Sequence, residues 1–149
     1  MKKVVLIASD HAGFVTKDKL KPFLLKKGYT LVDFSPKLIK GDDYPDYAFA
    51  VGKEVVSSGN PGILVCGTGA GMIIAANKVR GVRAVEAYDT FTAKLAREHN
   101  DANIVSLSGW HIPFDKIKQI ATVFLETKFS NEKRHVRRIK KIEKYELRK

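Results

Sequence analysis

Short apolar runs alternate with stretches of helical periodicity along almost the whole chain, and this alternation restricts the possible fold more than any other feature. The pattern predicts strands over residues 4–8, 29–34, 63–66, 82–85 and 103–107, and helices over 17–27, 47–58, 72–78, 90–98, 115–125 and from about 132 onward. Such an order predicts an α/β fold, a Rossmann-like three-layer sandwich with a five-stranded, mostly parallel sheet. A basic C-terminal helix completes the prediction.

The length of the chain indicates a single domain. It has 149 residues, of which 44% are hydrophobic and 29% are charged, and this is enough to form a core without disulfides or metals. We predict one domain over residues 1–149, with 130–149 as a basic helical tail. There is one cysteine, no signal-peptide pattern and no apolar stretch of membrane-spanning length, so we expect a cytoplasmic protein without a membrane partner.

Positive charge is concentrated in the tail. The net charge is +11, and residues 128–149 hold ten Lys or Arg against three Glu. Such a segment can be a solvated helical face or can bind nucleic acid or an anionic metabolite. It lacks the aromatic platforms that single strands need and carries no recognition motif, so we expect no nucleic-acid partner. Arg134 and Arg138 lie four residues apart, a spacing that suits two guanidinium groups binding one phosphate.

A glycine-rich segment, Cys-Gly-Thr-Gly-Ala-Gly over residues 66–71, joins the third predicted strand to a helix. Glycines there let backbone N–H groups approach an anion, although they can also serve only for tight packing. Met72 stands where the dinucleotide fingerprint needs glycine, and no Walker loop is present. We therefore expect no nucleotide cofactor.

Four side chains are candidates for proton transfer. Cys66 ends the third strand, where N–H groups would lower a thiol pKa that is about 8.5 in free cysteine, although a lone strand cysteine is more often structural. Asp10 and His11 follow the first strand, and His99 lies near the end of a predicted helix. These three residues can also be ordinary helix-terminal residues. Ligands of parallel sheets bind beyond the carboxyl ends of the strands, which favours a site at Asp10, His11 and Cys66.

Seven motifs, in order and through nearly the whole chain, resemble the ribose-5-phosphate isomerase B and galactose-6-phosphate isomerase family. They are Ser-Asp-His at 9–11, Asp-Tyr-Pro-Asp-Tyr at 43–47, Cys-Gly-Thr-Gly-Ala-Gly-Met at 66–72, Ala-Ala-Asn-Lys at 75–78, Gly-Val-Arg-Ala at 81–84, His-Asn-Asp-Ala-Asn at 99–103 and Arg-His-x-x-Arg at 134–138.

The resemblance implies an aldose–ketose isomerase that interconverts ribose 5-phosphate and ribulose 5-phosphate through an enediolate, without metal or other cofactor. It implies Cys66 as the base, Thr68 as its assistant, His99 as the group that opens the sugar ring, and Asp10 in the same catalytic set. The substrate-binding residues implied in the same way are His11, Tyr44, Gly67, Gly69, Gly71, Asn77, Asn100, Arg134 and Arg138. Of these, His11 and the two arginines would hold the phosphate.

The resemblance also implies a homodimer, or a dimer of dimers, in which the segment around His99 and Asn100 faces the Cys66 loop of the partner. One position departs from the family pattern, because Trp110 stands where the ribose enzymes usually carry a phosphate-binding arginine. His111 can replace that arginine, or Trp110 can pack at the dimer interface. Other substrates therefore stay open, namely allose 6-phosphate, galactose 6-phosphate or a tetrose phosphate, as does a non-catalytic protein that binds sugar phosphates or nucleic acid.

Overall fold

A computed structural model describes residues 3–148 of the chain. Within these residues the strands are β1 (Val4–Ser9), β2 (Thr30–Asp33), β3 (Gly62–Cys66), β4 (Ala84–Glu86) and β5 (Ile104–Ser108). The helices are α1 (Phe14–Lys26), α2 (Tyr44–Ser58), α3 (Ala70–Ala76), α4 (Thr90–Asn100), α5 (Phe114–Glu126) and α6 (Lys133–Glu146). The predicted alternation of strands and helices is confirmed.

The five strands form one sheet in the order β2-β1-β3-β5-β4, and every described pair is parallel. The chain passes from β1 to β2 on one side and then returns to β3 on the other side of β1. The carboxyl ends of β1 and β3 therefore flank the switch point at which α/β sheets bind ligands. In this register Ser9 pairs with Val65 and Cys66 pairs with Ser108, so the residues that follow these strands lie together.

Helices cover both faces of the sheet, and each face has its own hydrophobic core. Successive side chains of a strand point to opposite faces. Val5 and Ile7 join the core that includes α1, α4 and α5, whereas Leu6 and Ala8 join the core that includes α2 and α3. Burial on both faces explains why the strands are continuous apolar runs. The three-layer sandwich is thus confirmed.

The ends of several elements differ from the sequence-based prediction. Helix α1 begins at residue 14 rather than 17, because the Asp10 carboxylate accepts a 3.0 Å hydrogen bond from the N–H of Gly13 and closes a turn before the helix. Helix α2 begins at Tyr44 with Pro45 in its first turn, where a missing N–H costs no helical hydrogen bond. The edge strands β2 and β4 are shorter than predicted, since each pairs on one side only.

Helix α6 is the predicted basic C-terminal helix. It packs on α4 and buries His135 and Ile139, while most of its Lys and Arg side chains are exposed. Of the domain predicted over 1–149, residues 1, 2 and 149 lie outside the described residues. No helix between residues 3 and 148 is both long enough and apolar enough to span a bilayer.

Candidate active site

Asp10 and Cys66 meet at the switch point between β1 and β3. Cys66 is the last residue of β3 and Asp10 directly follows β1, and the two residues are only 5% and 7% exposed. Burial raises the pKa of the Asp10 carboxyl, while the N–H of Gly13 acts against this shift. The parallel register of the sheet brings this carboxyl and this thiol together across 56 positions of sequence.

The glycine-rich loop closes around the sulfur of Cys66. The N–H of Gly69 donates a 3.0 Å hydrogen bond to Sγ, and Gly69 has a φ of +98°, a region that favours glycine. Two serines of β5 attach the loop to the sheet. Ser106 Oγ donates a hydrogen bond to the carbonyl of Gly69 at 2.9 Å, and Ser108 Oγ donates one to the carbonyl of Gly67 at 2.7 Å. Sequence reasoning missed both serines, although polar residues two apart in an otherwise apolar strand are a usable signal.

The pKa of Cys66 differs from the sequence-based expectation. Burial raises the pKa of the thiol, and the Asp10 carboxylate raises it further, whereas the N–H groups of Gly69, Met72 and Thr68 lower it. The predicted lowering is therefore wrong in its net direction, because a buried thiolate loses more hydration than three backbone donors return. Thr68 is itself exposed and directly follows Gly67 in the loop.

His11 lies on the same edge of the sheet and is held by a residue that sequence reasoning missed. Its Nδ1 lies 2.7 Å from Asp42 Oδ1, and its backbone N–H donates to the same oxygen at 2.9 Å. The hydroxyl of Tyr47 donates to the other oxygen of Asp42 at 2.8 Å. The hydrogen bond to Asp42 raises the pKa of His11. No sequence signal distinguished Asp42 from the acidic residues around it.

Two aromatic rings border the glycine-rich loop. The Tyr44 ring lies against Gly71, where a Cβ would stand 2.7 Å from the phenol carbon Cζ, and the Trp110 ring lies against Gly67, where a Cβ would stand 2.8 Å from three ring carbons. Trp110 is nevertheless 67% exposed. The N–H of His111, whose side chain is also exposed, donates to Ser108 Oγ at 3.1 Å. Trp110 therefore borders the candidate site of its own chain.

Four residues predicted to bind the substrate or open its ring lie away from Cys66. They are His99, Asn100, Arg134 and Arg138. His99 and Asn100 end α4, which leads into the amino end of β5. They therefore lie at the amino ends of the strands, whereas Cys66 lies at the carboxyl ends. The His99 ring packs against the buried ring of His135 in α6, tilted by 34° and with 4.2 Å between the ring centroids. The other members, Arg134 and Arg138, are exposed on α6. Within one chain, these four residues and Cys66 are not brought together.

Asn77 is not brought into the group around Cys66 either. It follows α3, and its side-chain amide donates to the carbonyl of Ala84 at 2.9 Å and accepts from the N–H of Ala84 at 2.8 Å. These two bonds attach the end of α3 to the first residue of β4. The amide is thus used in attaching the end of α3 to the sheet.

Comparison with known proteins identifies the family. The family model described as Ribose/Galactose Isomerase matches residues 5–142. The chain belongs to this family. Ribose-5-phosphate isomerase B of Escherichia coli is 34% identical to it over 149 residues, covering 99% of each chain.

Solved structures of the family share the fold over nearly the full length. Ribose-5-phosphate isomerase B from Mycoplasma genitalium, solved with bound ribulose-5-phosphate, has a TM-score of 0.93 and 41% identity, and the match covers 100% of this chain and 99% of that one. The enzyme from Thermotoga maritima has a TM-score of 0.92 and 43% identity, covering 97% and 99%. The resemblance stated from the motifs is confirmed, and the chain is a sugar-phosphate isomerase.

Proposed function

We propose that this isomerase interconverts ribose 5-phosphate and ribulose 5-phosphate through an enediolate, with Cys66 as the base and without metal or other cofactor. The observation that carries the proposal is the buried sulfur of Cys66 at the switch point, 3.0 Å from the N–H of Gly69 in a loop of glycines. The solved relative from Mycoplasma genitalium holds ribulose-5-phosphate, which supports this choice of substrate.

Proton transfer by one thiolate accounts for the reaction. The Cys66 thiolate takes the proton from C2 of the open-chain aldose, the C2–H electron pair forms the C1=C2 double bond, and the π pair of the C1 carbonyl moves onto its oxygen. The backbone N–H groups between Gly67 and Gly71 are donors for the enediolate oxygens, and Thr68 supplies a hydroxyl beside them. Cys66 returns the proton to C1 while the proton of the C2 hydroxyl passes to the C1 oxygen, so C2 becomes the carbonyl, C1 carries a hydroxyl and the ketose forms without net oxidation.

The buried position of Cys66 sets the expected pH dependence. Because burial raises the pKa of the thiol, the thiolate is a minor form near neutrality. Its fraction grows as the pH rises, and the N–H groups of Gly69, Met72 and Thr68 stabilise it. We therefore expect kcat/KM to increase above neutral pH until another group titrates.

A homodimer would complete the site. His11 follows β1 at the same end of the sheet as Cys66, whereas His99, Asn100, Arg134 and Arg138 lie at the other end of the same chain. We propose that the end of α4 from one copy faces the Cys66 loop of a second copy. His99 would then open the sugar ring, and Arg134 and Arg138 would join His11 around the phosphate. Tyr44 and Asp10 would line the same pocket.

The test of the base is substitution of Cys66. We expect Cys66→Ala and Cys66→Ser to lose turnover by at least about a thousandfold and to stop deuterium entering the substrate from D2O, followed by NMR. Binding of ribose 5-phosphate, measured by calorimetry, should stay within a few fold, because the base adds little ground-state contact. Turnover within tenfold of wild type would rule out Cys66 as the base.

The shared site has its own test, complementation between two inactive variants. If His99 of one copy serves Cys66 of the other, mixed dimers of Cys66→Ala and His99→Asn contain one intact site of two. An equimolar mixture that has exchanged subunits should then recover about a quarter of wild-type activity, since half of the dimers are mixed. If both residues act within one chain, the mixture stays inactive.

Trp110 supports a second candidate substrate class, because its exposed ring borders the loop beside Cys66. A large apolar wall suits a different sugar chain as well as it suits ribose. Initial rates on four-, five- and six-carbon aldose phosphates, including allose 6-phosphate and galactose 6-phosphate, show whether ribose 5-phosphate or another sugar phosphate is the preferred substrate. We expect ribose 5-phosphate to have the highest kcat/KM.

A further inference from the structure

The carboxylate of Asp42 holds His11 from two directions. One oxygen, Oδ1, lies 2.7 Å from the ring Nδ1 and also accepts the backbone N–H of His11 at 2.9 Å. The other oxygen, Oδ2, accepts the hydroxyl of Tyr47 at 2.8 Å. Both the backbone and the ring of His11 are thus attached to one acceptor that comes from 31 residues away.

Asp42 performs no helix capping that would explain its position. It precedes the N-cap residue of α2, Asp43, whose side chain makes no capping hydrogen bond. The hydrogen bonds described for Asp42 all go to His11 and Tyr47. Its side chain is 9% exposed, compared with 46% for His11, so the carboxylate lies behind the imidazole rather than beside it in solvent.

This arrangement determines which nitrogen of His11 can meet a ligand. Since Nδ1 is occupied by a carboxylate, it carries a proton, and the outer nitrogen, Nε2, is the one left for an external partner. In the imidazolium form Nε2 carries a proton too and can donate to an anion. Tyr47 occupies the second oxygen of Asp42, which keeps that carboxylate turned away from the ligand.

Charge acts in the same direction as geometry. The hydrogen bond to Asp42 raises the pKa of His11, and the charge of Asp10 adds to this, while loss of hydration opposes it. Among residues 3–148 of one chain, the charged groups that act on the imidazole are these two carboxylates, with the phenol of Tyr47 behind Asp42; in the proposed dimer, Arg134 and Arg138 of the second copy would approach it as well. The imidazolium therefore persists to higher pH than in a free histidine.

We propose that Asp42 is a positioning residue for the phosphate of the substrate: it orients His11, fixes the proton on Nδ1 and presents Nε2–H to the phosphate. The proposal rests on the proposed function, in which His11 binds that phosphate. Asp42 lies outside the motif at 43–47 that sequence reasoning singled out, and it acts through His11 without touching the substrate.

The experiment compares Asp42→Asn with wild type by kinetics and by NMR titration of the His11 ring. Asparagine keeps an acceptor oxygen and removes the charge, so we expect KM for ribose 5-phosphate to rise about tenfold, with kcat within twofold. Competitive inhibition by inorganic phosphate should weaken by a similar factor. The titration midpoint of His11 should move to lower pH, and the pH at which KM begins to rise should move with it.

Two further variants keep the test independent of folding. Tyr47→Phe removes only the hydroxyl that orients Asp42, and we expect a smaller change of KM in the same direction. Asp115→Asn makes the same charge change at an exposed carboxylate of α5 and should leave KM and the His11 midpoint unchanged. Thermal melts of all variants show whether a change of KM accompanies loss of structure.

The outcomes separate this proposal from the proposed function. If Asp42→Asn leaves KM, phosphate inhibition and the His11 midpoint unchanged while wild type isomerises ribose 5-phosphate, the positioning proposal alone is wrong. If inorganic phosphate does not perturb the His11 ring in wild type, the positioning proposal is also wrong. If wild type acts only on another sugar phosphate but the His11 effects appear, the positioning role stands and the substrate assignment fails.

Discussion

Gly13 provides the most demanding test of how the fold supports the site, because it lies between α1 and the end of β3. Its backbone has φ −94° and ψ −8°, a right-handed helical conformation that alanine adopts without strain. A Cβ at this position would nevertheless stand 2.1 Å from the carbonyl oxygen of Val65 and 2.8 Å from the nitrogen of Cys66. Glycine is needed here for space rather than for conformation.

The size of the effect of Gly13→Ala follows from that distance. A carbon and a carbonyl oxygen in contact lie about 3.3 Å apart, so helix and strand would have to separate by roughly 1 Å. Overpacking a close-packed interior costs about 1–3 kcal/mol, while the reduced freedom of the unfolded alanine chain returns about 0.4–1 kcal/mol. We expect a net loss of about 1–2 kcal/mol, or a Tm lower by about 2–8 °C for a chain of this length.

Thermal unfolding followed by circular dichroism measures this loss, with Gly28→Ala as the matched control. Gly28 has a φ of +89° and a Cβ there would meet nothing within 4 Å, so only backbone strain of about 1 kcal/mol is expected. Gly13→Ala should also lower kcat, because the atoms that must move include the backbone of Cys66, whereas Gly28→Ala should not. A Tm for Gly13→Ala equal to or above that of wild type would refute the steric argument.

Four further results are expected. His99→Asn should slow turnover of cyclic ribose 5-phosphate far more than that of a substrate that cannot form a ring, and equal losses on both would reassign His99. Trp110→Arg sets a guanidinium beside the loop and should lower KM for ribose 5-phosphate with kcat little changed. Identical kinetics on every sugar phosphate would mean that residue 110 does not reach the substrate. Within residues 3–148 no three His, Cys, Asp or Glu side chains group as metal ligands, and we expect activity to survive prolonged EDTA treatment; loss that a divalent metal restores would contradict the cysteine mechanism. For the wild-type enzyme, kcat/KM should rise as the pH increases above neutrality. A value that stays constant from pH 6 to 9 would contradict a Cys66 thiol with a raised pKa as the source of the base.

Much of the scaffold could be predicted from the sequence, because its signals are local. The buried strands are continuous apolar runs, as for residues 4–8, and in the helices apolar residues recur every three or four positions. Glycines between a strand and a helix indicated the loop at 66–71, and the order of motifs indicated the family. The boundaries of the helices differed from the prediction, since the start of α1 depends on a hydrogen bond to Asp10 and the start of α2 on Pro45.

The tertiary structure decided which of these residues meet. Strand order sets Asp10 beside Cys66, as their positions after parallel strands predicted, but the placing of His99 at the opposite end of the sheet came only from the fold. The partner of His11 lies 31 residues away among several acidic residues, and only the fold selects Asp42. The shift of the Cys66 pKa was predicted in the wrong direction because it, too, depends on the tertiary structure. Local N–H donors can be inferred from sequence, but the loss of water around a buried group depends on every element packed against it.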